Sequence, residues 1–480
     1  MKKFLKHITS RCAIVAALMI LQLLAVFVVF TVFQNEFVYF YASFKFISIC
    51  VIFHIINNDS NPAYKIAWLI PIGILSIFGS LLYLIFGKNR ISKRAQKKMR
   101  RVESRYRMAI DSREGDLAAL REENEEVALQ SSYLQRAAGV PPYRNTETIF
   151  FGEGADQFAA MVREMEQAKR FIFLEFFIIE AGIVWNTILE LLVRKVKEGV
   201  DVRVMYDDVG CLLTLPKDYD KQLEQMGIKA CVFNRFKPVL SPSFNNRDHR
   251  KICVVDGIVG FTGGMNLADE YINAVDKYGH WKDCGVYLKG EAVWSFTLMF
   301  LSAWGHTRGI TEEFGRFRPA IPEHPIKAQG YVQPFTDTPL DNEAVGQTVY
   351  LNLVSRAKRY VYISTPYLIP DNEMITALIT AAKCGVDVRI VTPHIPDKGF
   401  VHALTRSYYP VLVEAGVKIY EYTPGFIHAK TFVVDDAYAV VGTINLDYRS
   451  LYLHYECAAW MYQSRAVLQL KTDYITMLDV

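Results

Sequence analysis

The chain writes one polar pattern twice. His249-Arg-Lys251 is followed by Asp256, Gly263 and Asn266, and His428-Ala-Lys430 is followed by Asp435, Gly442 and Asn445, so that every member recurs 179 residues later. The repeat extends upstream. Gly199-Val-Asp-Val-Arg-Val204 returns as Gly385-Val-Asp-Val-Arg-Ile390, each after a helix-like stretch and an apolar strand-like run, residues 171–178 and 360–365. A chain that repeats a strand-helix-strand block of this length folds as two similar halves. Alternating β and α segments with Val-rich strands predict an α/β fold: a largely parallel sheet flanked by helices, made twice and packed about a pseudo-two-fold axis.

Chemistry follows from the spacing. A strand alternates its faces, so His249 and Lys251 project from one side, as do His428 and Lys430. An imidazole beside an ammonium suits a phosphate: the lysine stabilises charge on the non-bridging oxygens, while the histidine attacks phosphorus or moves a proton. Gly263 and Gly442 would let the backbone approach closely, and the amides of Asn266 and Asn445 would donate to the same oxygens, as phosphate-binding residues. The two motifs, His249, Lys251, Asp256 and His428, Lys430, Asp435, form the catalytic candidate set. Within it the aspartates are expected mainly to hold a turn, since Asp256 precedes Gly257 as in a hairpin. Displacement at phosphorus needs a nucleophile on one side and a proton donor to the leaving oxygen on the other. One half-site cannot supply both, and two related halves can.

The apolar residues are concentrated at the start. Residues 13–33 and 66–86 are each 21 residues without a charge, long enough as helices to cross about 30 Å of hydrocarbon. Residues 37–56 are also apolar but carry Lys45 and His54, so they span, re-enter or lie at the interface. Lys2, Lys3, Lys6 and Arg11 precede the first run, and residues 88–107 hold ten Lys or Arg against Glu103. Both flanks therefore belong on the cytoplasmic side, which favours two crossings. Residues 111–126 then reverse sign, with seven acids and two bases, before Pro141-Pro142. The expected organisation is a membrane anchor over 1–87, a charged helical linker over 88–142, and two halves over 143–325 and 326–480. A net charge of +4 gives no general steering toward nucleic acid. The eight cysteines include no C-x-x-C pair, which argues against a zinc ribbon, a redox motif or a disulfide framework.

At the paired motifs the chain resembles the phospholipase D superfamily, and more closely the bacterial cardiolipin synthases. The likeness includes Asn61-Pro-Ala-Tyr-Lys-Ile-Ala-Trp-Leu-Ile-Pro71, Asn246-Arg-Asp-His-Arg-Lys-Ile252, Thr365-Pro-Tyr-Leu-Ile-Pro370, Thr423-Pro-Gly-Phe-Ile-His-Ala-Lys-Thr431 and Gly442-Thr-Ile-Asn-Leu-Asp-Tyr-Arg-Ser450. The resemblance implies a transphosphatidylation without metal or other cofactor, in which two phosphatidylglycerol molecules give cardiolipin and glycerol. It makes His249 the nucleophile that becomes a phosphatidyl-histidine, and His428 the acid and base. It further implies an acid that orients each imidazole: Glu456 for His428 and, since Lys277 stands at the matching distance from His249, Asp283 as a substitute there. His454 stands where the family more often has Asn, and Lys282 where Arg is common. The implied setting is the bacterial cell membrane, multi-pass, with the catalytic part on the cytoplasmic face and anionic lipids as partners. A phospholipid hydrolase and a non-catalytic scaffold are the alternatives. A nuclease is disfavoured by the anchor and the near-neutral charge.

Overall fold

A computed structural model describes residues 38–58, 61–87, 104–110, 113–236, 245–319, 326–341 and 343–480, with a few isolated positions between 20 and 31. The chain forms two compact units, Met1–Ser92 with Phe236–Asn246, and Lys93–Arg235 with Arg247–Val480.

In the first unit the uncertain apolar segment is helical over Val38–Ile56, followed by helices Pro62–Ile74 and Ser76–Phe86. The second expected span, 66–86, is therefore not one rod. Pro71 lacks the amide that would continue the hydrogen-bond ladder, and at Leu75 the backbone leaves the helical region (φ −124°, ψ 68°). The two pieces fold back on each other, with Tyr64 Oη donating to Gly87 O at 3.1 Å and the Trp68 and Tyr83 rings 5.4 Å apart. At 13 and 11 residues they are about 20 and 16 Å long, well short of a bilayer core. Among the described residues no helix is long and apolar enough to cross a membrane. The first expected span, 13–33, and the basic run after residue 87 fall for the most part outside the described residues.

The second unit is built on two sheets of seven strands among the described residues. The first runs in the order β1 (Thr146–Phe151), β8 (Gly285–Gly290), β6 (Val259–Gly263), β5 (Ile252–Val255), β2 (Phe171–Phe176), β3 (Asp201–Asp207), β4 (Lys229–Phe233). The second repeats it as β9 (Tyr331–Asp337), β18 (Glu456–Tyr462), β16 (Tyr438–Gly442), β15 (Thr431–Val434), β10 (Tyr360–Ser364), β12 (Asp387–Pro393), β13 (Lys418–Tyr422). The predicted duplication is thus present strand for strand. The expected parallel character holds only for β2-β3-β4 and for β10-β12-β13, which helical crossovers connect. The other pairs within the two sheets are antiparallel; at β5-β6 and β15-β16 tight turns at Asp256-Gly257 and Asp435-Asp436 send the chain straight back.

The halves are stitched together by short parallel pairings. Strand β7 (His280–Lys282) pairs with β14 (Gly425–Ile427), and Asp248 bridges Tyr455. The helix Arg465–Met477 also reaches across, where Thr148 Oγ1 accepts from Ala466 N at 3.1 Å. Helices Glu114–Glu123 and Glu125–Ala137, from the stretch read as a linker, bury Leu120, Val127, Ala128 and Leu134 in the core of this unit.

Candidate active site

Both motif histidines sit just before a central strand, at the seam between the sheets. His249 N donates to Tyr455 O at 2.9 Å, and His428 N donates to Lys282 O at 2.7 Å. Tyr455 and Lys282 are the residues immediately before Glu456 and Asp283. Each histidine is therefore docked on the strand of the other half that carries an acid.

This sets the pairing of imidazole and carboxylate, and it corrects the expected one. His249 Nδ1 faces Glu456 at 2.9 and 3.0 Å to the two carboxylate oxygens, and His428 Nδ1 faces Asp283 Oδ2 at 3.0 Å. Glu456 was expected on His428 and Asp283 on His249. Distance along the chain led to the wrong partner because the acid-bearing strand of each half lies across the seam.

Burial pushes both imidazoles down, His249 to about 3 and His428 to about 4, against the upward pull of their carboxylates. Burial alone would raise the acids, but His249 holds Glu456 below the usual carboxylate range, and His428 does the same to Asp283. A neutral imidazole whose Nδ1–H points at a carboxylate leaves its Nε2 lone pair free for attack or proton uptake. Glu456 also accepts from the hydroxyls of Thr443 and Ser450, and Ser450 Oγ accepts from Asn445 N at 2.9 Å. Asp283 has a different shell: Trp281 Nε1 at 3.2 Å and Cys284 N at 2.8 Å. The difference is steric. Gly264 occupies the place of Thr443, and a Cβ there would fall 2.0 Å from Asp283 Oδ1.

The lysines lie beneath the histidines. Lys251 Nζ donates to His249 O at 2.6 Å, and Lys430 Nζ donates to His428 O. Both are buried, which lowers Lys251 to about 8 and Lys430 to about 7; each is near enough to Asp283 and Glu456 to feel their charge. Two ammonium donors and two imidazoles thus share one seam, an arrangement suited to an anion.

The other candidates take structural places. Asp256 has φ 53° and accepts from the amides of Lys169, Arg170 and Phe171, each at 2.8 Å. Asp435, φ 55°, does the same for Lys358, Arg359 and Tyr360. They close the turn at the far end of β5 and β15 from the histidines, so their place among catalytic candidates is not supported and their turn role is. Asn266 is spent inside the fold, accepting from Ile178 N at 3.0 Å and donating to Tyr271 Oη at 2.7 Å. Asn445 differs, its buried Oδ1 having no hydrogen-bond partner among the described residues. Gly263 and Gly442 do allow a close approach, but to a neighbouring strand: an added Cβ would lie 2.3 Å from Cys284 O and 2.4 Å from Cys457 O.

Residue-level reading missed Thr443, Ser450 and Trp281 as supports of the acids. A signal for the acids themselves was present, since Asp283-Cys284 and Glu456-Cys457 are one acid–cysteine step written in both halves. His454 was noted only as a departure. Its ring centroid is 5.5 Å from that of His249, and His249, His454 and Glu456 are the one group among the described residues placed to hold a metal ion.

Two sheets joined about paired His-Lys half-sites define the architecture of the phospholipase D superfamily. The family described as cardiolipin synthase, PLD-like domain, matches residues 161–277 and 350–478, and a family described as phospholipase D-nuclease N-terminal matches residues 46–88. The chain belongs to the PLD-like cardiolipin synthase family. It is 47% identical to an uncharacterized protein of Streptococcus mutans over 88% of this chain and 91% of that one. It is 35% identical to a cardiolipin synthase of Halalkalibacterium halodurans over 88% and 84%. The crystal structure of phosphatidylserine synthase from Haemophilus influenzae shares the fold, with a TM-score of 0.54 at 16% identity over 73% of this chain and 90% of that one.

Proposed function

We propose that this enzyme joins two phosphatidylglycerol molecules into cardiolipin through a phosphatidyl-histidine. The observation that carries the reading is the pair of complete half-sites whose imidazoles are each held by a carboxylate from the other half. In this scheme Nε2 of His249 attacks phosphorus, a P–N bond forms, and the P–O bond to the leaving glycerol breaks. His428, having taken up a proton from solvent at Nε2 when the anionic substrate binds, gives that proton to the leaving oxygen. His428 then takes the hydroxyl proton of a second phosphatidylglycerol, whose oxygen displaces His249 and forms the new P–O bond. Lys251 and Lys430 stabilise the non-bridging oxygens throughout, and no metal is required.

The setting belongs to the same proposal. The uncharged run at 13–33 and the basic cluster at 88–107 support an N-terminal membrane attachment with the catalytic unit on the cytoplasmic face, where anionic lipid is both surface and substrate.

The test is to incubate the purified chain with phosphatidylglycerol alone and identify the products. Cardiolipin with an equal amount of free glycerol is expected. Phosphatidic acid with glycerol would mean that water resolves the intermediate, as in a hydrolase. Unchanged lipid would leave only a scaffold.

A further inference from the structure

The transfer scheme does not explain the surroundings of His454. Its side chain is 10% exposed, and neither ring nitrogen has a hydrogen-bond partner among the described residues. A largely buried imidazole without a full hydrogen bond costs stability, and the nearest partner of this one is a long ionic contact to the Glu456 carboxylate. Nδ1 stands 3.7 Å from Glu456 Oε1, beyond hydrogen-bond reach, while the same oxygen is 2.9 Å from His249 Nδ1. One ligand atom from each of the three residues lies within 4.8 Å of the others. Ligands bound tetrahedrally at about 2.0–2.1 Å are themselves about 3.3 Å apart, so shifts of up to about 1.5 Å would close the set on an ion.

We propose that His249, His454 and Glu456 form a binding site for a single Zn²⁺-like divalent transition cation, and that occupying it switches the enzyme off. Two imidazoles and one carboxylate are the donors of such ions, whereas Mg²⁺ and Ca²⁺ require mostly oxygen ligands. Binding exchanges the Nδ1 proton of His249, released to solvent, for a metal–nitrogen bond. The ring then loses the hydrogen bond to Glu456 that orients it and gives up electron density to the cation. Thr443 and Ser450, already donating to Glu456, would hold the carboxylate in place as ligand. The second centre offers no counterpart. Trp281 stands where His454 does, two residues before the acid, and it is a donor to Asp283 rather than a ligand.

The binding needs no reading of function; the switch rests on His249 being the attacking residue. The test uses the full chain in detergent, free of affinity tags. Zn²⁺ binding is measured by competition with a chromogenic chelator, and Co²⁺ is added separately to read its visible absorption bands. One Zn²⁺ per chain and tetrahedral Co²⁺ bands are expected, both weakened about tenfold or more in His454→Asn and His454→Gln. Two variants guard against one that folds poorly. Zn²⁺ should inhibit the unaltered chain, and Mg²⁺ should not. The zinc concentration for half-inhibition, taken relative to each variant's own zinc-free rate, should rise by the same factor as the binding constant. Equal zinc affinity in the unaltered chain and both variants would overturn the site. Zinc bound through His454 with turnover at full rate would overturn the switch and, with it, the role given to His249.

Discussion

Glu456 and Asp283 do opposite jobs at the residue scale if His249 attacks and His428 shuttles the proton. Glu456→Gln keeps the shape but removes the charge that fixes the His249 tautomer, so formation of the covalent intermediate should slow. Asp283→Asn should instead slow its resolution, so that with a lipid phosphodiester whose activated leaving group needs no proton the intermediate accumulates. Each should lose about 10²- to 10⁴-fold in turnover. Rapid-quench measurement of enzyme-bound phosphatidyl separates the two, and accumulation in Glu456→Gln rather than in Asp283→Asn would reverse the pairing of acid and role.

Both imidazoles are held neutral by burial, and that has a sign in stability. An unfolded histidine titrates near about 6.5, so between there and about 4 the unfolded chain binds protons that the native one refuses. The contribution is present above pH 6.5 and is lost as pH falls. Asp207 and Asp337, raised by burial to about 7 and about 8, act the other way: their contribution is full below about 3.9 and fades as pH rises through those values. The histidines are isolated by comparing the unaltered chain with the His249→Gln/His428→Gln variant. The difference in melting temperature should shift against the unaltered chain from pH 7 to 4.5, and a constant difference would contradict burial of neutral rings.

Elements were legible in the sequence where their pattern was local. The run Gly199-Val-Asp-Val-Arg-Val204 and its copy give β3 and β12, and the apolar runs before them give β2 and β10. What stayed hidden depends on contacts distant in sequence. The docking of His249 on Tyr455 and the pairing of β7 with β14 both involve residues more than a hundred positions apart. The spacing that the resemblance supplies therefore finds Glu456, reaches Asp283 only as a substitute for Lys277, and assigns both acids to the wrong histidines. The hairpin at 62–86 shows the converse limit. An uncharged run reports that burial is wanted; the break at Leu75 lets Ile72 and Tyr83 pack with Val51 and Ile55 of the preceding helix, while Ile66, Ile70 and Ile74 stay exposed.

Across the whole molecule, neither half supplies both a histidine and its own orienting acid, so in the proposed transfer the half-sites act only together. A separately expressed half should therefore be inactive. The proposed attachment is tested independently: protease added to intact cells should spare residues 143–480, and rapid digestion there would put the catalytic unit on the other face. In the proposed transfer the two histidines divide the labour. His428→Ala keeps the nucleophile and lacks the proton donor, so with a lipid phosphodiester carrying an activated leaving group it should form an adduct that persists. His249→Ala should form none. The measurement is mass spectrometry of the quenched variants, with the adduct expected on the peptide containing His249; an adduct on His428 that survives His249→Ala would exchange the roles, and no adduct on either histidine in an enzyme that turns over would contradict the account.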